Sequence, residues 1–193
     1  HQKQKNDSNL KYKVALGSMV GTAVPLVALA KKQKTNIFNI KYNTMSMVLL
    51  SAGAILGGLA TGVLAGKKEH RKQKINEGVF QFFNATIPTM MVAGIYSMIE
   101  KCEKLNNVPV KIIGAFAGLV GGMFLASELA NRVNDPYDKV PDRKLTIKDA
   151  VANIDDAVGV LVVSKVPLTD KLPIEKVLPA VYSWCGYRAG MSN

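Results

Sequence analysis

Four oxygen-bearing side chains, Asp149, Asn153, Asp155 and Asp156, stand immediately ahead of an unbroken apolar run, AVGVLVV at 157–163. Steps of three and four residues put side chains on one face of a helix. Asp149, Asn153 and Asp156 therefore share a face with Gly159, and Asp155 lies toward its edge. Ile147, Val151, Ile154, Val158, Leu161 and Val162 form the opposite, apolar stripe. Carboxylate and amide oxygens suit protons, Na⁺ or a hard divalent ion, so the pattern predicts a cation or proton site. Glu128 and Asn131, three residues apart, are placed to face it, and Asn84 shares a helix face with Gln81 and Pro88.

Other chemistries find little support. Cys102 and Cys185 have no CxxC or Cys/His spacing, and His1 and His70 are isolated, so neither a disulfide framework nor a metal centre is signalled. The serines lack a GxSxG setting, and Gly66-Lys67 runs into Lys68 instead of the Ser or Thr of a phosphate-cradling loop. Asn84-Ala-Thr86 matches a glycosylation sequon in apolar surroundings where it is incidental. No enzyme and no cofactor is expected. The net charge of +11 comes from Lys and Arg set between apolar blocks without aromatic stacking partners, which argues against nucleic acid.

Those blocks define the elements that must position the acids. Segments 12–30, 45–66, 78–99 and 109–130 are each apolar for the roughly 20 residues that a helix needs to cross a ~30 Å hydrocarbon core. The expected fold is an all-helical transmembrane bundle with four secure spans and two marginal C-terminal helices. A basic segment at 1–11 precedes a four-helix core at 12–132. A polar connection follows at 133–146, and residues 147–193 hold the acidic helix and a last helix. The chain begins at His1 and not at Met, so a portion upstream has been removed or left out. Lysines at 3, 5, 11 and 13 ahead of an apolar run resemble a signal peptide, and an uncleaved first span is the better reading. Asn43-Thr44 reads as a cap for the second helix, Asn106-Asn-Val-Pro109 places a proline at the first position of the fourth, and Thr146-Ile-Lys-Asp149 reads as a variant capping box opening a fifth helix over 147–165.

In lipid, leucines gain nothing by facing one another, so close backbone approach must hold the spans together. Gly58, Gly62 and Gly66, joined by Gly53 and Gly57, predict a tight crossing on the second span. Gly114, Gly118 and Gly122 do so on the fourth. Gly17 with Gly21 and Gly186 with Gly190 are shorter versions. Pro25, Pro88 and Pro179 are expected to break spans one, three and six. Pro88 and Pro179, each eight residues before a tyrosine, hint at an inverted repeat of three spans and three.

A charge at a helix centre costs about 2.5–3.5 kcal/mol in the bilayer, so Asp155 and Asp156 together cost roughly 5–7. The Ile, Val and Leu of 147–165 return only about 2–5 kcal/mol. The fifth helix therefore enters lipid only if neighbours escort it with its acids inward; otherwise it lies at the surface. Fifteen of the 25 basic residues fall on the N-terminal side if six helices cross, which favours a cytoplasmic N-terminus. Two functions follow. One is a small transporter or channel-like carrier of a cation or cation-coupled solute. The other is a structural or assembly subunit whose glycine faces grip partner helices or a second copy and whose acidic helix docks a basic surface outside the lipid. The partner common to both is the bilayer, in the cell inner membrane or an organellar inner membrane, with the loop 67–74 solvated and available to anionic lipid.

Overall fold

A computed structural model describes residues 2–150, 153 and 176–192. Among them all regular structure is helical: α1 (Gln2–Gln33), α2 (Thr44–Ala65), α3 (Arg71–Glu100), α4 (Val108–Asn134) and α5 (Leu178–Met191). Four, α1 to α4, are long and apolar enough to cross a membrane by length and composition. The fifth has 14 residues, about 21 Å at 1.5 Å per residue, and falls short of that length.

Local signals set the helix boundaries. Asn43 Oδ1 accepts the Ser46 N–H at 2.8 Å and opens α2, and Asn107 Oδ1 accepts the Val110 N–H at 3.0 Å and opens α4, with Pro109 in the first turn. These side chains satisfy amides that a helix N-terminus leaves without partners. Pro25 and Pro88 lie inside continuous helices, α1 and α3. Pro179, expected to interrupt a helix, instead opens α5 from its first turn, where a missing N–H removes no helical bond. Pro88 and Pro179 thus occupy different settings and do not mark equivalent positions of a repeat.

The helices meet backbone to backbone. A β-carbon added at Gly17, Gly21, Gly53 or Gly57 would run into the backbone of the facing helix, which makes α1 and α2 an antiparallel pair. On another face of α2, Gly58 abuts the carbonyl of Gly186 and Gly62 that of Gly190, so α5 lies parallel to α2. Glycine 66 stands apart from these crossings: it caps α2, and its near neighbours are Gly62 of its own helix and the Lys74 side chain. On α4, Gly114 faces Ile95 and Ile99, Gly118 faces Val92, and Gly122 faces Pro88, which sets α4 antiparallel to α3.

The start of α1, the end of α2, the start of α3 and the ends of α4 and α5 therefore gather at one end of the bundle, the basic end. A cluster of Leu29, Ile40, Tyr42, Met47, Leu50, Leu178 and Tyr182 fills the far end. A second cluster, Val92, Tyr96, Ala115, Leu119 and Met123, joins α3 to α4 and receives Leu145 and Ala150 from the connection. Leu16, Val20 and Val24 of α1, Leu56 and Leu64 of α2, and Phe116 and Phe124 of α4 point outward and are exposed.

Crowding of the Gly58 and Gly186 backbones predicts that Gly58→Ala lowers the unfolding temperature in detergent by several degrees. Gly94→Ala, at a position with nothing within 4 Å of the added carbon, is expected to leave it unchanged or raise it, because Ala favours helix by about 0.5–1 kcal/mol. Equal effects at the two positions would contradict the close α2–α5 crossing.

Candidate functional site

The polar residues of α3 repeat at helical spacing. Glu77, Gln81 and Asn84 lie four and then three residues apart and form a file leading from the basic end toward Pro88. Gln81, Asn84 and Pro88 are buried. At the mouth of this file the connection after α4 folds back. Asn131 of α4 clamps the backbone of Arg143, accepting its N–H at 3.1 Å and donating to its carbonyl at 3.3 Å. Ser127 donates to the same carbonyl at 3.3 Å. The Arg143 guanidinium stacks over the buried Phe80 ring, 3.4 Å from its centroid, a contact that gains strength as water is excluded.

From that position Arg143 uses both edges of its planar fork. Nε and Nη2 donate to the Glu77 carboxylate at 2.8 Å each, and Nη1 and Nη2 donate to Asp149 at 3.1 Å each. Arg188, near the end of α5, donates to Asp149 at 2.9 Å and approaches Glu77 at 3.9 Å. Thr146 completes the Asp149 shell as a capping box, with its N–H at 2.8 Å and its hydroxyl at 2.7 Å from Oδ2. Two arginines thus neutralise two carboxylates, and Asp149 itself is fully enclosed. A buried ion pair needs this degree of hydrogen bonding to offset desolvation. Burial would push the Asp149 carboxyl up, but the bonds from Arg143 and Thr146 and the Arg143 charge outweigh it and hold the group at about 2, below its ordinary 3.8. Burial would likewise lower the Arg143 pKa, and its bonds to Glu77 and Asp149 raise it instead.

Deeper in the file, Asn153 Nδ2 donates to Asn84 Oδ1 at 2.8 Å and to the Asp149 carbonyl at 2.9 Å. Gln81 Nε2 donates to Glu77 at 2.7 Å. A carbonyl and a carboxylate only accept, so these bonds fix which way both amides are turned. The outcome is that Asn153 Oδ1 and Gln81 Oε1 are buried without a hydrogen-bond donor among the described residues.

The structure brings Asn84, Asn153 and Asp149 together and ties Asn131 to the same group through Arg143. Glu128 faces away: it pairs with Arg132 at 3.0 Å on the exposed side of α4, one turn along. Asp155 and Asp156 lie outside the described residues. Sequence reasoning missed Glu77, Arg143 and Arg188 as one group. Glu77 was legible as the first member of the polar file on α3, whereas Arg143 and Arg188 carry no local sign of their partners. Above the network a vestibule of about 240 Å³ opens between Gln73, Asn76, Glu77, Asn134, Asp142 and Arg143. No group of three or more His, Cys, Asp or Glu among the described residues is arranged to hold a metal ion.

No protein-family model, curated protein or solved structure matches the chain.

The Asp149 environment sets a pH dependence. Its folded carboxyl titrates near 2 and its unfolded one near 3.8, so between these values the unfolded chain binds more protons and acid favours unfolding. The stabilisation from this group is complete above about pH 4 and is lost as the pH falls through about 2. Thermal unfolding in detergent followed from pH 5 to pH 2 should show a decline over that window, and Asp149→Asn should flatten it. An unchanged decline in the variant would contradict the assignment.

Proposed function

We propose that the chain is a small multi-pass membrane protein, with α1 to α4 crossing the bilayer, that moves a cation or a cation-coupled solute along the polar file of α3. The observation that carries this reading is the pair of buried amide oxygens, Gln81 Oε1 and Asn153 Oδ1, turned by their own hydrogen bonds so that neither has a donor among the described residues. An unsatisfied buried oxygen costs about 1–3 kcal/mol, and it persists where a hard cation or proton donor can supply the missing partner. Asn84 adds a third amide at the same level. Asp155 and Asp156 follow closely in the chain and are the proposed carboxylate ligands. The paired charges of Glu77, Asp149, Arg143 and Arg188 act as a neutral lock between the vestibule and these oxygens. The lock must open for an ion to pass.

The exposed apolar faces of α1, α2 and α4 support solvation by lipid. The basic end faces the cytoplasm on the positive-inside rule, with the cell inner membrane as the membrane of choice. The second reading, a structural or assembly subunit, draws on the complete pairing of the four charges and on the outward Phe116 and Phe124. Its partner helices would meet these aromatic and aliphatic faces, because the glycine faces are already occupied within the chain.

Purified protein in vesicles should raise Na⁺, K⁺ or H⁺ flux above protein-free vesicles. Asn153→Leu or Gln81→Leu should cut that flux by about tenfold or more, the loss expected when a buried polar ligand is removed. Flux at the protein-free level, or flux unchanged in both variants, would rule out the carrier and favour the assembly subunit.

A further inference from the structure

Between α1 and α5, at the basic end, runs an apolar groove of about 400 Å³ walled by Ala15, Met19, Ala180, Trp184 and Tyr187, with Lys11 and Tyr12 at its mouth. The distance from Lys11 to Met19 along α1 is about 12 Å at the helical rise, so the groove runs along the helices and is open to the outside of the bundle. The hydroxyl of Ser183 in its wall is already bonded to the Pro179 carbonyl and to Thr22, both at 2.8 Å, which leaves the Trp184 indole N–H and the Tyr187 phenol as the polar groups of an otherwise apolar wall. The wall therefore offers an occupant mainly apolar contact, with its few polar groups on the aromatic side chains. Trp184 and Tyr187 stack on each other with centroids 5.6 Å apart, and Trp184 is half exposed. Aromatic side chains of this kind sit where a membrane changes from headgroup to hydrocarbon.

We infer that this groove holds one acyl chain of an anionic glycerophospholipid whose phosphate is bound at Lys11. The inference rests on the membrane reading above. Charge complementarity selects the occupant: the mouth carries Lys11, the groove opens at the end that also holds Lys13, Lys67, Lys68, Arg71 and Lys72, and the leaflet facing such an end is the anionic one. An extended peptide would bring a row of backbone N–H and C=O groups that this mostly apolar wall cannot satisfy, whereas an acyl chain brings none; a membrane helix satisfies its own backbone, and the anionic phosphate at Lys11 is what favours the lipid over it. The groove shares no lining residue with the basic loop 67–74, and its selectivity comes from a tail and a headgroup read together.

The chain has one tryptophan, so its fluorescence reports on this wall alone. The full-length protein is reconstituted in phosphatidylcholine vesicles containing a small, equal fraction of either brominated phosphatidylglycerol or brominated phosphatidylcholine, and quenching of Trp184 is measured. Quenching by the brominated phosphatidylglycerol should show a roughly fivefold higher association, the effect of one lysine near an anionic headgroup. The preference should vanish in Lys11→Glu, an exposed position whose change leaves the bundle intact. In Ala15→Phe, which fills the groove, quenching by both lipids should fall. Equal quenching by the two lipids, or a preference that survives both variants, overturns the inference while leaving the membrane reading in place. No quenching by either lipid overturns the membrane reading, and the groove's occupant with it.

Discussion

Contact between the backbones of α2 and its two neighbours is the constraint on which the other features depend. Gly53 and Gly57 admit α1 on one face, and Gly58 and Gly62 admit α5 on another. With hydrogen in place of side chains at these crossings, dispersion contacts form along the whole backbone surface, and large apolar residues are left to face outward. Such an arrangement suits a helix bundle in hydrocarbon, where hiding leucines brings no gain. It also fixes the height of α5. Once Gly186 and Gly190 lock against α2, Arg188 is carried to Asp149, and the carbonyls of Gly190 and Ser192 reach the buried Lys74 ammonium at 2.9 and 2.6 Å. That lysine caps α5 where the helix dipole is negative.

The charge network is the second consequence. α3 contributes Glu77, the connection after α4 contributes Arg143, the helical residues 147–150 contribute Asp149, and α5 contributes Arg188. Each charge is tolerable only because the other three are present. The network therefore couples the position of α5 to that of the connection. On the proposed reading, movement of either would expose the amide oxygens beneath. Glycine contacts hold the helices, and the ion pairs register one end of them.

Much of the architecture was legible in the sequence because its signals are local or periodic. The four long apolar blocks mark α1 to α4, Asn43 and the stretch from Asn106 to Pro109 mark helix starts, and Asp149 accepts the Thr146 N–H as its place in a variant capping box requires. Sequence patterns were weaker wherever the meaning of a residue depended on a distant partner. Pro179 sits inside an apolar stretch and reads as a break, yet it opens a helix because the chain before it is not part of α5. Gly66 continues a four-residue glycine period but falls one residue past the helix end, where it becomes a cap. Asp149 reads as a cation ligand from its place on an acidic face, and its cations turn out to be Arg143 and Arg188, six and 39 residues away. Glu128 and Asn131 have the same spacing signal, but only Asn131 points at the network.

The most direct test of the central claim, that α1 to α4 cross a bilayer, uses the exposed Cys102 between α3 and α4 at the far end of the bundle. Cys102 and, in a separate Cys102→Ser chain, Lys68→Cys at the basic end are labelled in sealed, uniformly oriented vesicles with a membrane-impermeant thiol reagent. Labelling of the two positions from opposite faces of the membrane is the predicted result. Labelling of both from the same face would contradict the account.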